Sequence, residues 1–216
     1  MRPEDALAAA HAGADAIGMV LYAKAARRVS LDQAQEIMAV LPAFVTPVGL
    51  FVDSPPDEVR DIARQLNIRH VQLQGNEPPD TVAGLRDLKV IKAIHVDRNS
   101  LSTVLAKWRA AVADLKLTNL AGVLMETGGT AVAGGSGVEN DWATIAAVQA
   151  AGAFEGLPPL IAAGGLTPAN VGNVVTALRP WAVDVSSGIE ISRGVKSNDR
   201  MNSFVDAVHA ADPQRV

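Results

Sequence analysis

Seven short apolar runs alternate with longer, mostly Ala-rich segments of helical period along the whole chain, and the alternation opens on a helix. The apolar runs fall at 15–21, 45–52, 69–73, 89–94, 121–126, 159–163 and 182–186, and the helical segments at 4–12, 31–40, 56–66, 78–86, 100–113, 141–151, 168–178 and 199–210. The runs are continuous rather than alternating, as expected of strands buried on both faces in a parallel sheet. A repeated βα unit builds either a doubly wound sheet or a closed barrel. One more strand ahead of Pro3 would complete eight βα units. The pattern therefore predicts an α/β chain, a (β/α)8 TIM barrel lacking its first strand. Neither a linker nor a shift in composition divides the chain, so residues 1–216 read as a single domain.

Local signals support this order. Pro3 suits a first helical turn, Glu4 and Asp5 suit the positive end of its dipole, and Gly13 suits its stop. Ser30 is placed to cap the helix at 31–40. Trp108, Trp142 and Trp181 read as helix-to-sheet packing. The length of 216 residues is short of the roughly 250 usual for this barrel. With 49% hydrophobic and 19% charged residues, the chain is composed like a globular protein.

Composition also narrows the chemistry. A net charge of only -4 leaves no electrostatic footprint for nucleic acid and no polybasic patch for a membrane surface. The absence of cysteine excludes disulfides and thiolate metal sites within these residues, and His11, His70, His95 and His209 lack ligand spacing. A metal is therefore not expected. No apolar run reaches membrane-spanning length and Met-Arg-Pro-Glu-Asp is unlike a signal peptide, so a cytoplasmic protein is expected.

Barrels of this kind place function where strands end and loops begin. In Ala163-Gly164-Gly165-Leu166-Thr167-Pro168, glycines let the backbone approach an anion, and a helix from Thr167 or Pro168 would add unpaired amides. In Asp184-Val185-Ser186-Ser187-Gly188-Ile189-Glu190, two hydroxyls and further amides follow the next strand. Either loop alone reads as a tight turn. On adjacent strands the pair points to phosphate, with Gly164, Gly165, Ser186, Ser187 and Gly188 as the candidate cradle.

Other positions are open to two readings each. Glu126, last in its strand, would face the barrel mouth as a general acid, or be a solvated strand-end carboxylate. Arg27 and Arg28 could grip a carboxylate with a planar fork, or be solvated loop charges. Gly134-Gly135-Ser136-Gly137 could fold over a ligand or simply connect surface elements.

These residues carry a family resemblance. The stretches Arg2-Pro3-Glu4-Asp5-Ala6, Gly13-Ala14-Asp15-Ala16-Ile17-Gly18, Val48-Gly49-Leu50-Phe51-Val52, Val71-Gln72-Leu73-Gln74-Gly75, Gly134-Gly135-Ser136-Gly137 and the two glycine loops resemble phosphoribosylanthranilate isomerase over essentially the whole chain. The resemblance implies a cytoplasmic enzyme of tryptophan biosynthesis acting on a small phosphosugar, without metal or cofactor, as monomer or homodimer. The reaction would be the Amadori rearrangement of N-(5'-phosphoribosyl)anthranilate to 1-(2-carboxyphenylamino)-1-deoxyribulose 5-phosphate. An acid opens the furanose ring to a Schiff base, and a base then takes the proton from C2'. Carried over, Glu126 stands in for the family's aspartic acid, Arg27 matches the arginine that holds the anthranilate carboxylate, and Asp184 lies close to the substrate.

The departures are specific. The family's opening Lys-Ile-Cys-Gly strand, whose cysteine is the base, is not among these residues. Gln74 replaces a usual histidine, and Ala25-Ala26 replaces Ser-Pro. Three expectations follow: a truncated record of an active isomerase, a non-catalytic phosphosugar-binding module or pseudoenzyme, and, least supported, a relative of indole-glycerol-phosphate synthase. Truncation is favoured physically, because loss of the first strand exposes two sheet edges and removes core side chains. As given, the chain is expected to aggregate, to pair with a second copy, or to have impaired activity.

Overall fold

The computed structural model describes residues 2–22, 25–127 and 141–212. Its order is α1 Pro3–Ala12, β1 Ala16–Val20, α2 Leu31–Val40, β2 Thr46–Phe51, α3 Pro56–Gln65, β3 His70–Leu73, α4 Pro79–Gly84, β4 Lys89–Val96 and α5 Leu101–Asp114. There follow β5 Leu120–Thr127, α6 Trp142–Ala150, β6 Leu160–Ala162, α7 Val171–Leu178 and β7 Ala182–Val183. A 3-10 turn at Ser187–Ile189, β8 Glu190–Ser192, β9 Val195–Lys196 and α8 Asn198–Ala211 complete the described residues.

Strands β1 to β7 lie side by side in chain order, and every neighbouring pair is parallel. A doubly wound sheet would reverse its order at a switch point. The unbroken order is that of a barrel wall. Its register alternates side chains between two environments. Val71, Val90, Val123 and Met125 belong to the main core shared with the helices. On the other face Ala93, Leu124, Ile161 and Ala163 form a separate buried cluster, with Ile91 and Ala182 against it. The curl of the sheet is visible in one contact: Gln74, just past β3, donates from its side-chain amide to Glu126 on β5, reaching across β4.

Among the described residues β1 and β7 are the two sheet edges and do not pair with each other. The helical layer is closed where the sheet is not, because α1 packs against both α2 and α8. Asp5 helps fix α1 there: it is buried, and accepts from the Arg2 backbone N–H at 3.3 Å and from the Arg2 guanidinium at 2.8 Å. The N-caps form as expected at Ser30, whose hydroxyl accepts from the Gln33 N–H at 3.1 Å.

Several expectations are corrected. The helix expected over 168–178 begins only at Val171, because Asn170 turns the chain before it: its Oδ1 accepts from the Thr167 N–H at 2.8 Å and its Nδ2 donates to the Gly165 carbonyl at 3.0 Å. The strand expected over 182–186 ends at Val183, beyond which the chain bends into the 3-10 turn. The antiparallel ribbon of β8 and β9 is additional. Trp181 does not pack between helix and sheet. It lies just before β7, outside any strand, and is 74% exposed. Trp108 is buried as expected. No helix among the described residues is long and apolar enough to cross a membrane.

Candidate active site

Parallel strands carry their carboxyl ends to one rim. There β4, β5, β6 and β7 stand in consecutive positions, and β-strands place residues two apart on the same face. Glu126 lies two residues beyond Leu124, His95 two beyond Ala93, and Asp184 two beyond Ala182. Glu126 and His95 therefore stand above the small apolar cluster, a polar tier over an apolar floor, with Asp184 joining them from the residue just past β7. His95 and Glu126 are register partners on neighbouring strands.

An amide chain orients Glu126. The Gln72 side chain donates to Gln74 Oε1 at 2.6 Å, and the Gln74 amide in turn donates to the Glu126 carboxylate. Both glutamines are buried. The Nδ1 of His95 is buried without a hydrogen-bond partner among the described residues, and burial, with the charge of Lys92 adding, lowers the imidazole pKa. Asp184 is exposed to solvent just past the end of its strand, with protein crowding its base. This crowding raises its carboxyl pKa against the opposing pull of Lys196.

The two glycine loops come together. A Cβ placed on Gly188 would lie 1.8 Å from the carbonyl oxygen of Leu166, so the turn after β7 is seated directly on the loop after β6. Gly164 and Gly165 are both left-handed, at φ +91° and +67°, which favours glycine. Their N–H groups make no hydrogen bond to protein among the described residues. The expected helix amide at Thr167 is not available, being bonded to Asn170. Gly164, Gly165, Ser186, Ser187 and Gly188 form one half-exposed surface at the ends of β6 and β7.

Arg27 is not a free loop charge. Its Nε donates to Glu190 Oε1 and its Nη2 to Glu190 Oε2, both at 2.8 Å. Burial pushes the Glu190 carboxyl up, but the Arg27 fork and Lys196 more than reverse this and hold it at about 2. Arg28 makes no comparable contact among the described residues. The loop containing Gly134 to Gly137 lies outside the described residues.

A second polar group, missed in the sequence, braces the rim. Lys92 Nζ donates to Glu77 Oε2 at 2.8 Å, and Glu77 Oε1 accepts from the N–H groups of Asp53 and Gly75 at 2.8 and 3.0 Å. Lys92 interrupts the apolar run Lys89-Val90-Ile91-Lys92-Ala93-Ile94, which is the one signal that could have revealed it. Among the described residues no group of three His, Cys, Asp or Glu could hold a metal ion.

The family model described as N-(5'phosphoribosyl)anthranilate (PRA) isomerase matches residues 1–207. The chain belongs to that family. The N-(5'-phosphoribosyl)anthranilate isomerase of Pseudomonas aeruginosa strain UCBPP-PA14 is 41% identical over 209 residues, covering 97% of this chain and 92% of that protein. The crystal structure of phosphoribosyl anthranilate isomerase from Thermotoga maritima is similar at TM-score 0.82 and 32% identity, covering 97% of this chain and 95% of that one. A further isomerase structure, in complex with reduced 1-(o-carboxyphenylamino)-1-deoxyribulose 5-phosphate, is similar at TM-score 0.79 and 32% identity, covering 97% and 94% of the two chains. The family is one of isomerases of tryptophan biosynthesis, and the barrel reading of the fold stands with it.

Proposed function

We propose that the chain isomerises N-(5'-phosphoribosyl)anthranilate with Glu126 as the acid, Arg27 at the anthranilate carboxylate, and the loops at 163–167 and 186–188 around the phosphate. The observation that carries this reading is the seating of Gly188 on the Leu166 carbonyl, which makes one anion-sized surface of two loops, one strand away from Glu126. Backbone amides of left-handed glycines can close on phosphate oxygens without a side chain intervening.

The geometry supports a division of labour. Bound by its phosphate at the ends of β6 and β7, a ribose ring extends across the rim over the tier of Glu126, His95 and Asp184, which stands on the floor of Leu124 and Ile161. Glu126, aimed by Gln74, donates its proton to the furanose oxygen as the C1'–O bond breaks, leaving a Schiff base. The C2' proton must then pass to a base, the place of the family's cysteine, which is not among these residues. Asp184, adjacent to the phosphate turn, faces the sugar hydroxyls. Arg27 keeps three of its five N–H groups beyond those given to Glu190, enough for a second two-pronged bond to a carboxylate. The ligand of the relative's complex carries both a carboxyphenyl group and a 5-phosphate, the two anions this arrangement suits.

The test is turnover of phosphoribosylanthranilate by the whole chain. Glu126→Gln should lower kcat about 10²- to 10⁴-fold, and Arg27→Met should act mainly on KM. Ligand binding without turnover in the unsubstituted chain would instead favour a phosphosugar-binding module.

A further inference from the structure

Glu190 and Lys196 face each other as register partners across the antiparallel ribbon of β8 and β9. The ribbon places three side chains in one desolvated group: Arg27, Glu190 and Lys196 are 17%, 6% and 8% exposed. Lys196 Nζ donates to Glu190 Oε1 at 3.1 Å, the same oxygen that accepts from Arg27 Nε, and to the Ser186 carbonyl at 2.7 Å. A third cation, Arg200, donates to the Glu190 backbone carbonyl. Lys196 therefore touches the phosphate turn on one side and the arginine's carboxylate partner on the other.

We propose that Glu190 and Lys196 are positioning residues that aim Arg27 at the substrate's carboxylate and fix its distance from the phosphate turn. The inference rests on the function proposed above. A guanidinium held at one edge by a carboxylate is fixed in both plane and rotation, so its remaining edge points one way. Arg27 sits in the loop after β1, which among the described residues does not pair with β7, and the Glu190–Lys196 link ties its place to Ser186. The triad also carries two positive charges against one negative within a mostly buried volume. Arg200 at the Glu190 carbonyl adds a third cation and Asp184 a second carboxylate within reach of Lys196, so a positive surplus remains for an arriving anion to compensate.

Selectivity for a carboxylate is the property to measure. The probes are reduced 1-(o-carboxyphenylamino)-1-deoxyribulose 5-phosphate, its analogue lacking the carboxyl group, and ribose 5-phosphate, titrated calorimetrically into the whole chain. The unsubstituted chain should bind the carboxylate-bearing compound at least about tenfold more tightly than the analogue without it, as expected of a charge-assisted pair. Glu190→Gln and Lys196→Met should each bring this ratio close to one, while ribose 5-phosphate affinity moves less than about threefold. Lys196→Arg should restore the ratio. In turnover, both variants should raise KM far more than they lower kcat. An unchanged ratio in folded Glu190→Gln overturns the proposal, as does an equal fall for all three ligands. Failure of the unsubstituted chain to bind either analogue overturns the functional reading and this inference together; binding with an unchanged ratio overturns this inference alone.

Discussion

Arg27 and Glu190 are 163 residues apart in the chain, yet form a two-pronged ion pair that links the loop after β1 to the start of β8, directly after the turn that follows β7. These segments follow the two sheet edges, which share no strand pairing among the described residues. At the rim the edges are joined by charge, and behind them the helices close through α1 against α8. Among the described residues a side-chain bond thus joins two parts of the candidate site that share no strand pairing.

The pair has a pH signature. Glu190 ionises at about 2 in the folded chain, below its ordinary value of 4.5, so the folded state holds that proton less tightly than the unfolded one. Its contribution to stability is complete above about pH 4.5 and is lost as pH falls toward about 2. Thermal unfolding of the unsubstituted chain should steepen across this window. Glu190→Gln should melt lower at neutral pH, with a shallower slope, and the two curves should converge near the acid end. Parallel curves would show that Glu190 does not carry the linkage.

Gly188→Ala tests the phosphate surface without touching a charge. Its methyl group would collide with the backbone carbonyl of Leu166, which cannot swing aside as a flexible side chain could, and one of the two loops must move. Displacement by about 1 Å is enough to cost some 10²-fold in turnover. Ribose 5-phosphate affinity should fall along with activity. Gly194→Ala is the control: it too is left-handed, at φ +82°, but nothing lies within 4 Å of an added methyl. It should cost a little stability and leave ligand binding unchanged.

The strands are legible in the sequence because burial on both faces writes them as largely apolar runs, broken at Gln72 and Lys92, and the chain-order sheet follows from helices between them. Gly164, Gly165 and Gly188 are legible as a paired signal on adjacent strands. The partners of these residues are not. Glu190 belongs to a recognised motif, but nothing local shows that it meets Arg27, since the contact depends on how the curled sheet brings its ends together. Lys196 lies in a ribbon whose strands are too short to leave a periodic pattern. The late start of α7 also escapes a propensity reading, because Asn170 uses its side chain on Thr167 and Gly165 rather than on the helix it precedes.

Gln74→Leu should isolate the value of aiming Glu126. The substitution keeps bulk but removes the amide that donates to the carboxylate, and strands the Gln72 donor that now ends on Gln74. Proton transfer depends on the angle and distance of the donor, so kcat should fall about tenfold or more with little change in KM. Gln74→His, which can still donate, should recover much of the loss. Equal kcat in all three proteins would mean that Glu126 is held by other contacts.

Lys92 and Glu77 should prove costly to separate. Lys92 donates to the carbonyls of Gly75 and Ala93 at 2.7 and 2.8 Å as well as to Glu77, and Glu77 joins the loops after β2 and β3 through Asp53 and Gly75. Their side chains are 4% and 2% exposed. Glu77→Ala leaves an ammonium group buried without its counter-charge and frees two amides, which should destabilise the fold by about 3–5 kcal/mol in urea unfolding. Lys92→Met alone leaves the carboxylate with its two amide donors and should cost less. Because the residues share one network, the double substitution should cost less than the sum of the two, by about 0.5–3 kcal/mol. Simple additivity would mean that the carbonyl contacts of Lys92, and not its charge, brace the rim.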